Sequence, residues 1–288
     1  VQNNVTVSAT NAAAVVLSSV TASASGITFT SLTSTNSGGK GVDLSSIGGS
    51  FASTTTTVTN PAGVGIDVQT SVAGGSINLG STTSNASGGT GVNLATNAGN
   101  VTFGAFSVAP DANQRGLLAT ENSGTLTIAS GTVTTTGNTA VEVTKTSGAT
   151  PLAVTLTAVS ANGGPNGIYL SRTSGSFTVA GTGSAGSGGT IRNQVGADGA
   201  VAGSGVYLSN VSNVSLARMQ LNDFPNFAIR GIGVSGFSLT NSVVNGVNGT
   251  NAAIDEATIA FDGLTGTALV QNNSISGGVE DNFRVRNS

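Results

Sequence analysis

Short blocks of alternating apolar and variable residues recur along this chain, and nearly all of them open on a small residue. Between the first apolar residues of successive blocks the steps are 27, 24, 26, 25, 24, 27, 38, 23, 30 and 24 residues. The pattern therefore predicts a repeat of about 25 residues in eleven copies. The copies are at 14–17, 41–44, 65–68, 91–94, 116–119, 140–143, 167–170, 205–208, 228–231, 258–261 and 282–285.

Each block is typical of a short strand, because residues two apart on a strand face the same side. A second apolar-polar-apolar run follows most blocks, for example at 101–103, 126–128 and 214–216. Clusters of Gly, Asn and Ser separate the runs, as turns require. One repeat therefore holds two or three strands.

A single coil of this size cannot bury its own apolar face, whereas stacked coils bury a continuous core. The sequence predicts an all-β, right-handed parallel β-helix, a single domain over 1–288 with about eleven rungs. A β-sandwich is disfavoured because the repeat is too long for it, and a leucine-rich horseshoe because no helical segment is visible. The 38-residue step predicts a loop insertion near 181–200.

The order of apolar-Thr-apolar strand, Asn/Ser turn and small-Val-x-Leu block resembles right-handed parallel β-helix repeat proteins. The best local matches are FSLTNS at 237–242 and LVQNNSI at 269–275. The resemblance covers almost the whole chain and implies an architecture rather than an activity. That architecture serves pectin-degrading lyases and hydrolases, phage tailspikes, and passenger regions of autotransporters and other bacterial surface proteins. The scarcity of charge and the absence of Cys look most like the last group.

Composition excludes several functions. The chain has 43 Gly and only 7% charged residues, with no His and no Cys. Nucleophilic triads and metal sites that use imidazole or thiolate are therefore excluded. A formal net charge of −3 gives no basic footprint for nucleic acid, and no apolar run is long enough to span a membrane.

Two motif matches carry little weight. Residues 181–186 spell G-x-G-x-x-G, but the Gly-rich sequence after them cannot start the helix that a dinucleotide site needs. Residues 38–43 resemble half of a calcium-binding nonapeptide, but the repeat here is about 25 residues rather than nine. We predict no cofactor, no metal site and no catalytic residue.

The middle residue of each block is predicted to face outward, forming one column along the rod. Asp43 and Asp67 would lie on adjacent rungs, as a carboxylate pair, a weak calcium site or solvated ladder residues. Tyr169 and Tyr207, the only tyrosines, fall in successive copies with Arg172 nearby. These three are the candidate ligand-binding residues, for a sugar ring or an aromatic partner; the alternative is an ordinary aromatic ladder.

The leading functional hypothesis is a noncatalytic structural or adhesive module of a bacterial surface or secreted protein, extracellular or at the cell surface. Its partners would be glycans or other surface proteins, with rods joined end to end or within a longer chain. The alternative is a β-helix polysaccharide lyase or glycoside hydrolase that acts on extracellular glycans. A third reading is a threonine face that binds ice or another surface, suggested by the runs at 54–57 and 134–136. Those runs do not recur in register along the sequence, which disfavours it.

Overall fold

The computed structural model describes residues 4–287, and it confirms a parallel β-solenoid of about eleven turns. All 24 strands belong to one hydrogen-bonded sheet in which every pairing is parallel. Successive rungs stack strands in three columns, here called face 1, face 2 and face 3. The only helical element among these residues is a 3-10 turn, Ala252–Ile254.

Face 1 contains the recurring blocks. Its strands are β2 (Val15–Ser18), β4 (Val42–Ser45), β6 (Ile66–Gln69), β9 (Val92–Ala95), β11 (Leu117–Thr120), β13 (Val141–Thr144), the first parts of β16 (Asn166–Val179), β18 (Ser204–Ala217), β20 (Ile229–Thr240) and β22 (Ala257–Gln271), and β24 (Asp281–Arg286). The four long strands bend around a corner and continue into face 2.

Face 2 is completed by β7 (Ser76–Asn78), β14 (Thr150–Leu156) and the first parts of β3 (Ile27–Thr35), β5 (Ser50–Thr59), β10 (Asn100–Ala109) and β12 (Leu126–Thr136). Face 3 contains the second parts of those four strands together with β1 (Thr6–Thr10), β8 (Ser81–Asn85), β15 (Ala158–Asn162), β17 (Thr190–Arg192), β19 (Gln220–Phe224), β21 (Val243–Asn248) and β23 (Ser274–Ile275).

One continuous apolar core runs along the axis from Ala14 to Leu264, and a small separate cluster is formed by Phe227, Ala257 and Ala260. The inward residues of all three faces contribute to it, with phenylalanines on face 2 such as Phe51 and Phe177 fully buried. Burial of each such side chain stabilises the fold by about 1.5–3 kcal/mol. Stacking therefore supplies the core that no single rung could form.

The glycine that opens most blocks is required by packing. A Cβ atom added to Gly41 would lie 2.2 Å from a methyl carbon of Val58, and one added to Gly91 would lie 2.4 Å from a methyl carbon of Val108. Face 1 begins where the inward side chains of face 3 come closest to the backbone. Glycine or alanine at this position is therefore a consequence of close approach.

The residues of the predicted insertion form two loops separated by β17. Residues 180–189 connect face 2 to face 3, and residues 193–203 connect face 3 to face 1. Asn226, which is fully buried, donates from Nδ2 to the carbonyl oxygens of Ala197, Ala200 and Ala202 at 3.0, 3.0 and 2.7 Å. A buried amide on a later rung thus holds the second loop in place.

Candidate functional site

The outward column predicted for face 1 is present in full register. Each member pairs with the next across the parallel ladder, in the order Val16, Asp43, Asp67, Asn93, Leu118, Glu142, Tyr169, Tyr207, Arg230, Ala260 and Arg284. This column brings carboxylates, tyrosines and arginines onto one face. It is the part of the described chain where titratable side chains are concentrated.

Asp43 and Asp67 lie on adjacent rungs as expected, but a lysine joins them. Lys40 Nζ is 2.9 Å from Asp43 Oδ1 and 2.5 Å from Asp67 Oδ2. Asp67 is almost fully buried, and its carboxylate also accepts hydrogen bonds from Asn93 at 2.7 Å and Gln69 at 2.8 Å. The pair is thus bridged by the protein's own cation, which offsets one of its two negative charges.

The protonation of Lys40 reflects this setting. Burial by itself lowers the pKa of the ammonium group, but the hydrogen bonds and charges of Asp67 and Asp43 outweigh it, so that the pKa is raised above its usual value. Lys40 therefore stays charged at neutral pH. No cluster of three or more Asp or Glu side chains within residues 4–287 is arranged to hold a metal ion.

The two tyrosines are neighbours on face 1. Their ring centroids are 5.5 Å apart and the ring planes meet at 79°, an edge-to-face arrangement, and both side chains are half-buried. Burial, with smaller contributions from Tyr207 and Glu142, raises the pKa of the Tyr169 hydroxyl. Glu142 is itself held by Arg115, with Arg115 Nε 2.7 Å from its Oε2.

Arg172 lies outside this column. It occupies the corner between face 1 and face 2, where its φ of 54° places it in the left-handed region. The same corner position is filled by Asn210 on the next rung and by Gly233 on the one after. The exposed Arg172 side chain makes no hydrogen bond, ion pair or cation-π contact with any of residues 4–287. The structure therefore brings the two tyrosines together but does not join Arg172 to them.

Further along face 1, arginines pair with carboxylates that are not among the predicted site residues. Arg230 forms an ion pair with Asp262, and its guanidinium lies 5.4 Å from the ring centroid of Phe227. Arg284 Nη1 is 2.7 Å from Asp255 Oδ1, and Arg286 contacts the same carboxylate. The hydrogen bond from Arg286 is the main cause of a lowered pKa at Asp255.

Glu256, which is not among the predicted site residues, is fully buried. Its Oε2 accepts hydrogen bonds from the backbone N–H of Thr250 at 2.7 Å and of Asn251 at 2.8 Å, and Oε1 accepts one from Gly199 at 3.4 Å. The carboxylate therefore connects the loop at 249–256 to the loop at 193–203. Nothing in the local sequence distinguishes it from its partly exposed neighbour Asp255.

Two shallow grooves lie on the other faces. A groove of about 410 Å³ on face 2 is lined by Ser, Thr, Asn and Gly with Val214, Phe237 and Leu269, and a groove of about 400 Å³ on face 3 is lined by Thr, Ser, Asn and Gln with Arg192. Arg192 is the one charged side chain among these lining residues, and no carboxylate lines either groove. Both grooves can offer hydrogen bonds to a ligand, but their walls carry no general acid or base.

Residues 4–287 contain no helix with the length and apolar character of a membrane span. Comparison with known proteins gives no matching family model, no similar curated protein and no similar solved structure. The interpretation of the faces therefore depends on the contacts of this chain's own residues.

Proposed function

We propose that this chain is a noncatalytic structural or adhesive module, a stiff rod that spaces or displays binding surfaces outside a bacterial cell. The observation that supports this most directly is the pairing of charges on face 1. Its carboxylates at Asp43, Asp67 and Glu142 are each engaged by a cation of the same chain. A general base must be free to take a proton from a substrate, and these groups are committed to their partners.

The rod itself follows from the stacking. Eleven rungs at roughly 4.8 Å each would give a length of roughly 50 Å. Parallel hydrogen bonding and a continuous core tie each rung to its neighbours, so that the module has the stiffness that a spacer requires.

The adhesive part of the proposal concerns Tyr169 and Tyr207. Their half-buried, outward rings offer an apolar surface to a glycan or to another surface protein, and aromatic rings are common in sugar contacts. Arg172 would contribute only from the adjoining corner. The competing role, a ladder that stabilises the sheet, would be worth roughly 0.2–1 kcal/mol.

The test is a panel of neutral and acidic extracellular polysaccharides, scored both for binding and for released products. We expect binding without product. Tyr169→Ala combined with Tyr207→Ala should abolish glycan binding and leave the thermal unfolding temperature nearly unchanged. Thr127→Ala on face 2 is the matched control and should bind as the wild type does. Release of unsaturated or reducing ends would instead establish the β-helix lyase or hydrolase.

A further inference from the structure

Face 3 carries a regular array of hydroxyl groups over its first four rungs. Three outward positions on each rung belong to it, and eleven of these twelve residues are Ser or Thr, the exception being Asn85. We call this set the hydroxyl array. Its rows are Thr6, Ser8 and Thr10; Ser31, Thr33 and Thr35; Thr55, Thr57 and Thr59; and Ser81, Thr83 and Asn85.

The register of these rows is strict. Ser8 pairs with Thr33, Thr33 with Thr57, and Thr57 with Thr83, and no bulge or register shift interrupts the pairing. The runs at 54–57 and 134–136 do not themselves recur in register, because the column of Thr57 continues through Thr83 and Ser107 to Thr132. What recurs is a Ser or Thr at nearly every outward position of the first four rungs. The outward pattern is hard to see in the sequence because the inward Thr56 stands between the outward Thr55 and Thr57.

Inward and outward hydroxyls on these strands differ in their hydrogen bonds. The buried hydroxyl of Thr56 bonds to that of Ser53 at 2.6 Å, and the buried Thr82 donates to the carbonyl oxygen of Leu79 at 2.9 Å. Within the array only Thr55 has such a contact, a long one of 3.4 Å to the carbonyl oxygen of Thr30; no other side chain of the array bonds to any of residues 4–287. The outward hydroxyls are thus available to an external partner.

The array is uncharged and contains no aromatic ring. One edge is bordered by Asn36 and Asn60, whose side chains are joined by a hydrogen bond of 2.8 Å across the rungs. Neighbouring rows are separated by roughly 4.8 Å and neighbouring columns by roughly 6.6 Å, the spacings of strands and of alternate residues. The surface therefore repeats in two directions.

We propose that the hydroxyl array binds ice. A ligand for this surface must repeat in two dimensions, accept and donate hydrogen bonds, carry no charge and tolerate methyl groups. The surface of hexagonal ice meets these requirements, because its oxygen atoms repeat in two directions at distances close to those of the array. Threonine suits this contact, since its hydroxyl bonds to water while its methyl limits the orientations of the next water molecules.

This inference goes beyond the proposed structural role, because it assigns a ligand to a face that the tyrosines do not share. The experiment measures the shape of single ice crystals, the gap between freezing and melting temperatures, and ice recrystallisation. The variants are Thr57→Lys at the centre of the array and, as matched control, Thr102→Lys, an equally half-exposed outward threonine on face 2.

We expect the wild type to facet ice crystals and slow recrystallisation, Thr57→Lys to lose both effects, and Thr102→Lys to retain them. Thr33→Val keeps the side-chain shape while removing one hydroxyl, and it should reduce both effects. It therefore tests the array even if Thr57→Lys fails to fold. A wild type without effect on ice would overturn the proposal, as would equal losses in Thr57→Lys and Thr102→Lys. Binding to microcrystalline cellulose or chitin without an effect on ice would also overturn it. None of these results would change the outcome of the polysaccharide assay, which tests face 1 separately.

Discussion

Face 1 and the hydroxyl array of face 3 are both exposed surfaces of a parallel sheet, but the first carries paired charges and the second uncharged hydroxyls. Twelve of the 21 charged residues form ion pairs on face 1 or directly beside it. The array has no charge, and nearly all of its hydroxyls lack a partner among residues 4–287. The difference indicates that polar groups on face 1 serve the protein itself, whereas those of the array are left for something outside it.

The variant with the largest expected effect on this comparison replaces Lys40. Lys40→Met would leave the buried Asp67 carboxylate beside Asp43 without a cation, and we expect a loss of about 2 kcal/mol in the free energy of unfolding, less than for a fully buried pair because Lys40 is partly exposed. Urea unfolding measures this. Adding Asp67→Asn should recover most of the loss. An unchanged stability of Lys40→Met would mean that the ion pair does not stabilise face 1.

A second, smaller effect on stability should distinguish inward from outward hydroxyls on β5. Ser53→Ala would leave the buried Thr56 hydroxyl without its partner, at an expected cost of about 1–2 kcal/mol. Thr57→Val removes an outward hydroxyl and should change the free energy of unfolding by less than about 0.5 kcal/mol. Thermal or urea unfolding of both variants checks this. Equal effects would contradict the idea that the array is independent of the fold.

The smallest expected effect is a titration on face 1. Because burial is the main cause of the raised pKa of Tyr169, with the Glu142 charge a lesser one, Glu142→Gln should bring that pKa closer to the ordinary value without restoring it. A Tyr207→Phe background leaves one tyrosine, whose ionisation can be followed by ultraviolet absorbance. No difference between Tyr207→Phe and the double variant would exclude an influence of Glu142.

The sign of the corresponding pH dependence follows from the direction of the shift. Above about pH 10, the ordinary tyrosine pKa, the unfolded chain loses a proton that the folded protein still holds at Tyr169. Stability should therefore fall as the pH rises through this range. Tyr169→Phe should remove that contribution to the fall.

The fold was predictable because the core repeats once per rung. Gly41, Val42 and Leu44 recur in kind on most rungs where face 1 follows face 3, and that packing requirement is visible in the sequence. The column from Asp43 to Tyr207 followed from the same period. Its register survives because every step, whatever its length, returns the chain to the same face.

The contacts that sequence reasoning missed depend on corners rather than on strands. Lys40 lies three residues before Asp43, yet only the stacking of rungs shows that it also reaches Asp67. Arg172, three residues after Tyr169, lies around a corner from it. The pairing of Thr33 with Thr57 follows the period of about 25 residues, but the hydroxyl array was hidden because inward hydroxyls such as that of Thr56 interrupt the alternation of apolar and polar residues.

The link between the loops at 193–203 and 249–256 has a mechanical consequence. Glu256 links coils that are not immediate neighbours and Asn226 ties two adjacent ones, whereas the earlier coils are joined mainly by their ladders and core. In a stack of coils where each coil contacts only its neighbours, such a link should make the coils that it spans unfold together. A rod stretched along its axis should therefore unfold coil by coil through its first half, and the coils between the loops at 193–203 and 249–256 should unfold in one larger step.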